Sequence, residues 1–320
     1  MSRVRDCSTV YRPRALALKA MALAFAGSLA IGGFASGVSA QATPAGMASP
    51  ASGECVASDA TAPAADTAME GTPEAAPAGT PVTDQAVTDA AVAAAENFAN
   101  CWNAGDLESV LTLVTPNLLA SKFLAASPED AAAALEGMGE LPAYSIVSAE
   151  NVQTYDDGRA SLDIVYMLGD YQLVNARWYM VMVDDALLID AEELMLPQPE
   201  GDAEVVSFTF AADGGDVAFD QGVDEETGVR AATLLPAVIL HATNADAAPR
   251  MAMVVRVPEA MAGTPVAADN LPADAEFVAA VTVGAGDQVD IALVGLSAGD
   301  YALYEAGGAV APFNLAEPEA

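Results

Sequence analysis

The stretch YQLVNARWYMVMVDDALLIDAEELML, Tyr171–Leu196, alternates apolar and polar residues on either side of Asp184-Asp185. A period of two belongs to a strand with two distinct faces, and the acidic pair marks a two-residue hairpin turn. That turn sets Tyr179 opposite Asp190 and Arg177 opposite Glu192, so these four side chains share one face of the sheet. Trp178, Met180, Met182, Ile189 and Ala191 take the other face, which is nearly all apolar. Period-two patterning usually sends the apolar face inward, which leaves the polar quartet as an ion-pair ladder in water. The alternative places the quartet inside a cavity, where an arginine between carboxylates orients a substrate or tunes a general acid–base pair.

Two more strands precede this hairpin, YSIVSAENVQTY and ASLDIVYML, with Asp157-Gly158 and Gly169-Asp170 at the turns. With Gly169-Asp170 as the turn, Asp163 falls on the Trp178 side, away from Arg177. An Asp163-Arg177-Asp190 cluster then requires a bulge that shifts the register. Upstream the period changes. In TDQAVTDAAVAAAENFANCWNAGD, apolar residues from Val87 to Trp102 recur at helical spacing, and Asn103 and Gly105 end the helix. Asp106 caps a second helix carrying Leu107, Val110, Leu111 and Val114, which Pro116 closes. Ser127-Pro128-Glu129-Asp130 starts a third, running to about Met138. Three helices followed by a four-strand meander make an α+β unit.

The order of these parts, with FANCWNAGDLESVLTLV as its most telling segment, resembles the NTF2-like (SnoaL-like) superfamily over residues 83–197. The resemblance implies a cone, three helices on a curved antiparallel sheet, closing over a pocket. It also implies a choice among isomerase, dehydratase or epoxide hydrolase activity and plain binding, since a fold does not name its chemistry. The candidate pocket residues are Tyr166, Arg177, Tyr179 and Asp190. Of the acid–base sets common among enzymes of this family, the one that needs histidine is impossible here, because the unit has none.

Pro197-Gln198-Pro199-Glu200-Gly201 is a boundary. Beyond it EVVSFTFAA, AVILHAT, MAMVVRV, EFVAAVTVG, DQVDIALV and DYALYE are short alternating strands, the pattern of an all-β sandwich. ILHATNADAAPRMAMVVRV and FVAAVTVGAGDQVDIALVGLSAGDYALYE resemble a cupredoxin-like, Greek-key domain over residues 203–316. A blue-copper centre needs two imidazoles and a thiolate. This half has Arg250-Met251 and Ala302-Leu303-Tyr304-Glu305-Ala306 where the resemblance would put ligands. The chain has one histidine, His241, inside a strand, and no cysteine beyond Cys101. Neither a copper nor a zinc site is expected, His241 reads as structural or surface-borne, and no cofactor is assigned. The acidic stretch DGGDVAFDQGVDEETG, Asp213–Gly228, does not match an EF-hand loop and reads as a solvated turn.

At 320 residues the chain has room for two domains, and 53% hydrophobic content is inflated by alanine. A net charge of −34 argues against nucleic acid and anionic membrane partners. Five of the eleven basic residues (Arg3, Arg5, Arg12, Arg14, Lys19) precede or enter an apolar run that ends at Val38-Ser39-Ala40. Residues 1–40 are therefore expected to be a secretory signal peptide, with an uncleaved anchor as the alternative. Residues 41–82, rich in alanine, proline and threonine, read as a disordered linker. Cleavage leaves Cys55 and Cys101, which an oxidising compartment lets bridge; a buried lone thiol at Cys101 is the other reading. Together these features describe a secreted or envelope-exterior two-domain protein, non-catalytic, that binds a small apolar ligand or a protein partner. The first domain offers a sheet face for a homodimer, and an enzyme acting in the cone is the alternative.

Overall fold

The computed structural model describes residues 53–60, 79–82, 84–137, 141–184, 186–214, 216–258, 275–305 and 310–318. The expected signal peptide and most of the expected linker lie outside the described residues.

Among the described residues four helices precede the main strands: α1 (Gln85–Asn103), α2 (Leu107–Thr112), α3 (Pro116–Lys122) and α4 (Pro128–Gly137). Asp84 caps α1 through the amide of Ala86, and Asp106 caps α2 through that of Ser109. Pro116 does not close a helix as expected. It opens one, because a proline at the first helical position gives up only an amide that has no intrahelical acceptor.

Strands β2 (Tyr144–Thr154), β3 (Ala160–Leu168), β4 (Gln172–Val183) and β5 (Ala186–Leu194) form an antiparallel meander, extended at one edge by the short β1 (Thr80–Pro81). The apolar stripe of α1 packs on one face of this sheet, with Phe98 edge-on to Tyr144 and Trp178 at 5.6 and 5.4 Å.

Apart from a 3-10 turn at Ala212–Gly214, the regular elements of the rest of the described chain are strands: β6 (Ala203–Phe210), β7 (Val217–Phe219), β8 (Arg230–Thr233), β9 (Ala237–Asn244), β10 (Arg250–Arg256), β11 (Glu276–Val283), β12 (Gln288–Val294), β13 (Gly299–Glu305) and β14 (Val310–Ala316). Strands β11-β10-β13-β14-β8 make a five-stranded sheet that packs on β12-β9-β6-β7. Phe208, Phe210, Leu240, Val254, Leu303 and Phe313 are fully buried between the two layers. This is a β-sandwich with parallel pairing of β6 with β9 and of β8 with β14.

The halves are not beads on a string. The first residues of β4 pair with β12, Leu173 with Ala292 and Gln172 with Leu293, so one nine-stranded sheet runs through both. Gln172 is 4% exposed, and its side-chain amide binds the free edge of β11. It donates to the carbonyl of Ala280 at 3.0 Å and accepts from the amide of Ala280 at 3.1 Å. A side-chain amide thus imitates the peptide of a neighbouring strand. Tyr171 adds a hydrogen bond to Glu276 at 2.6 Å, which with partial burial pushes the phenol up to about 12. Replacing Gln172 by leucine keeps the volume and strands both backbone groups of Ala280. The expected loss is about 1–3 kcal/mol in denaturant melts; an unchanged midpoint would show that the junction needs no such clamp.

Candidate functional site

Two departures from expected register build the site. The β3–β4 connection has three residues, since Leu168 pairs with Gln172. That moves Asp163 directly opposite Arg177, on the same face, where the carboxylate accepts two bonds at 2.7 and 3.2 Å. The expectation that Asp163 faces Trp178 is corrected accordingly. In the β4–β5 hairpin the turn has two residues, as read, but a bulge follows: Met180 pairs with Ile189, and Tyr179 with Ala191. Asp190 is the extra residue. Every position after it changes face, so Glu192 leaves the Arg177 side and lies across from Trp178.

The four expected pocket residues therefore part company. Tyr166 lines a cavity between the two halves that is partly open to the surface. Arg177 and Tyr179 stay on the opposite face of the sheet, where Tyr179 donates to Glu193 at 2.7 Å and Arg159 lies over the rings of Tyr155 and Tyr179. Asp190 anchors the start of α3, accepting from Thr115 at 2.6 Å and Asn117 at 3.2 Å. None of these last three borders the cavity.

The cavity measures about 220 Å³. Aromatic and aliphatic groups of the first half line most of it, among them Phe98, Trp102, Phe123, Leu135 and Val174. Met251, Phe277, Ala280, Val281 and Ile291 of the sandwich close the remaining side. A cleft of about 520 Å³ runs between the halves, lined by Leu124, Met195, Pro249, Asp287 and others. Ser121, Glu192, Leu194 and Thr282 border both spaces, so the cleft reaches the polar end of the cavity.

That polar end is a short network. Glu192, with a side chain 10% exposed, forms an ion pair with Lys122 from the last turn of α3. It also accepts from the Tyr166 hydroxyl at 2.6 Å and the Trp178 indole at 3.1 Å. Lys122 donates in addition to the Tyr166 oxygen at 3.0 Å. Burial works against the Glu192 carboxylate, but the charge of Lys122 and the three donors outweigh it and hold its pKa below the usual range. Burial first, and then the charge of Glu192, keep the Tyr166 phenol well above its ordinary value.

Tyr144, the first residue of β2, stacks on Tyr166 with ring centroids 4.3 Å apart. It is 2% exposed and borders the cavity, and its hydroxyl meets no partner at hydrogen-bonding geometry. Leaving a buried hydroxyl unsatisfied costs stability. Tyr144→Phe is accordingly expected to raise the stability of the empty protein by about 1 kcal/mol in thermal or denaturant melts. A loss instead would mean the hydroxyl has a partner in solution.

Elsewhere the chemistry is structural. The Arg250 guanidinium, where the cupredoxin-like resemblance would put a copper ligand, is paired with Asp246 and Glu305 and lies over the ring of Phe210. Cationic and carboxylate groups locked to one another do not fit copper. Among the described residues no group of three or more histidine, cysteine or acidic side chains is placed to hold a metal ion. His241 sits opposite Asp290 on β12 and contacts its carboxylate at 2.6 Å. In the acidic stretch Asp224 is spent on the amides of Glu226 and Thr227.

Lys122, Tyr144 and Gln172 were not singled out as pocket residues from the sequence, and Glu192 was weighed only as one of the polar quartet and left out of the candidate set. A signal existed for two of them. Lys122 is the only basic residue between Lys19 and Arg159, and Glu192 is the acid that the bulge carries inward.

No protein-family model matches the chain, and no curated protein matches it. Among solved structures, auracyanin from Roseiflexus castenholzii is 17% identical over 35% of this chain and 96% of its own, with a TM-score of 0.25. Auracyanin B is 16% identical over 38% of this chain and 93% of its own, at 0.23. A multicopper oxidase from Pediococcus acidilactici is 11% identical over 55% of this chain and 44% of its own, also at 0.23. At such scores these likenesses carry no argument about chemistry; the β-sandwich rests on the strand pairing described above.

Proposed function

We propose that this chain is an exported binding protein whose NTF2-like half holds a small molecule and whose cupredoxin-like half, without copper, roofs the site. The carrying observation is the composite cavity, walled by aromatics of the first half and closed by Met251, Phe277 and Ala280 of the second. A largely apolar pocket with a few convergent polar groups is what a small-molecule site requires. The roof also gives the sandwich a role that needs no metal. Export rests on the basic-apolar leader over residues 1–40 and accords with the Cys55–Cys101 bridge, since such bridges persist in oxidising compartments. Among the described residues no helix is long and apolar enough to cross a membrane.

The isomerase, dehydratase or hydrolase reading would make Glu192 the base. Its oxygens already accept from Lys122, Tyr166 and Trp178, and its pKa is held low, both of which weaken it as a proton acceptor. Binding is the better-supported reading.

The test is native mass spectrometry of the protein purified from its own culture medium, with thermal-shift screening of apolar compounds. Wild type should carry or gain a ligand. Ala280→Phe, which pushes a ring into the cavity from the roof, should not, while its circular dichroism stays native. Equal binding by both would place the ligand elsewhere.

A further inference from the structure

We infer that the cavity and the cleft form one continuous site for an elongated amphiphile, with an apolar body of about eight to ten carbons in the cavity and a cationic head in the cleft. This deepens the binding reading above and rests on it.

Shape gives the first part of the argument. Ser121, Glu192, Leu194 and Thr282 border both spaces, so a molecule seated among the aromatics has its far end at the cleft. A dry cavity of about 150 Å³ admits a benzene. At about 220 Å³ this one has room, by the same ratio, for about nine carbons. The cleft then continues the apolar surface. Leu124, held in the left-handed region at φ 50°, and Leu196, 72% exposed, both line it, with Met195 and Val289. Aliphatic groups left in water along one cleft mark a surface that a ligand covers.

Charge gives the second part. Three carboxylates line the cleft, those of Glu192, Asp287 and Asp290, and among the described residues no lysine or arginine does. Glu192 is paired with Lys122 on the cavity side, and Asp290 contacts His241. Asp287 is exposed and its side chain accepts no hydrogen bond among the described residues. It lies over Gly284, where a Cβ would collide with the carboxylate. Gly284 is two residues beyond Thr282, which sets this negative charge beside the opening of the cavity. An anionic head finds no free cation, because each of the six lysine and arginine residues from Lys122 onward already pairs with an aspartate or glutamate. It would meet Asp287 and Asp290 as like charges, where a cationic head meets opposite ones.

The test is calorimetric titration of the intact protein at neutral pH with three probes of one chain length, decylammonium, 1-decanol and decanoate, below the concentrations at which they form micelles. Wild type should bind decylammonium about 3–10-fold more tightly than decanol, the worth of a partly exposed charge contact, and decanoate more weakly than decanol. At about 1 M salt, where the screening length is ~3 Å, that preference should vanish. Asp287→Asn combined with Asp290→Asn should erase it as well and leave decanol binding unchanged, and that unchanged affinity also shows the variant to be folded. Glu225→Gln combined with Glu226→Gln removes the same charge from an exposed turn and should keep the preference. Its loss there too would make it bulk attraction to an acidic protein and overturns the inference. So does decanoate binding as tightly as the ammonium, or a preference that survives in the cleft variant or at high salt. If decanol binds wild type but not Ala280→Phe while the ammonium shows no advantage, the cavity reading stands and the inference falls. If decanol binds both equally, or no probe binds wild type, both fall.

Discussion

Reducing the Cys55–Cys101 bridge should lower the unfolding free energy by about 4 kcal/mol, the loop-closure entropy of a cross-link spanning 46 residues. The geometry around the bridge explains why so much depends on it. Residues 53–60 have no regular structure and lie as a strap over α1 and α2. Asn97 holds the strap from both sides, accepting from the amide of Val56 at 2.9 Å and donating to its carbonyl at 2.7 Å. Thr112 takes the amide of Ser58 at 2.9 Å. Cys101 is fully buried in the core of the helical half, and Cys55 packs against that core. Without the covalent bond, three hydrogen bonds at the surface must hold a chain with little apolar surface of its own, and net gains near 1 kcal/mol each do not match its entropy.

The measurement is denaturant unfolding with and without reductant, and on Cys55→Ser. The midpoint should drop and the slope with denaturant should rise, because an unlinked unfolded chain exposes more surface. Cys101→Ser is the poorer test, since it also leaves a hydroxyl in an apolar core. An unchanged midpoint in Cys55→Ser would mean the strap is held by its hydrogen bonds alone.

Period and turn chemistry made most of the elements legible in the sequence. Strands β2 to β5, and the ends of α1 and α4, fall within a few residues of where alternation, Asp-Gly and Ser-Pro-Glu-Asp put them. The elements that escaped have physical reasons. Helix α3 has seven residues and begins at a proline that also serves as a helix stop. Strand β14 carries Pro312, which argues against an interior strand. On the β8 side pairing begins only at Phe313, while Pro312 stands opposite Ala302 of β13.

The site was the least legible part, for a sharper reason. A bulge at Asp190 and a third turn residue at Tyr171 leave no mark on composition. Each slips the register by one, which exchanges the two faces of everything downstream. Glu192 and Asp163 were both assigned to the wrong side by that single-residue error. Gln172 reads as one more polar strand residue until the edge of β11 is set beside it. Lys122 and Glu192 are 70 residues apart, and nothing local announces such a pairing.

Lys122→Met is expected to cost about 3–5 kcal/mol at neutral pH, the range for stranding one member of a buried ion pair. Glu192 would keep its bonds from Tyr166 and Trp178 but lose the charge that offsets its burial. The pH dependence separates this cause from simple loss of packing. In wild type the folded pKa of Glu192 is lowered from 4.5, so ionising it contributes stability above the unfolded value, and that contribution is lost as pH falls through the folded one. In Lys122→Met only the Tyr166 and Trp178 donors oppose burial, and with the charge of Lys122 gone the folded pKa is expected to rise above the unfolded value. The sign then reverses: protonating Glu192 relieves the penalty, and stability is regained as pH falls through the raised pKa. The deficit relative to wild type should be largest near pH 7.5 and shrink steadily toward pH 5 in paired denaturant melts. Adding Glu192→Gln to Lys122→Met should recover most of the loss at pH 7.5, because a neutral pair of similar volume carries no stranded charge. A deficit of equal size at both pH values, unrelieved by the second substitution, would show that Lys122 serves through its methylene stem and that the polar end of the cavity is not held by charge.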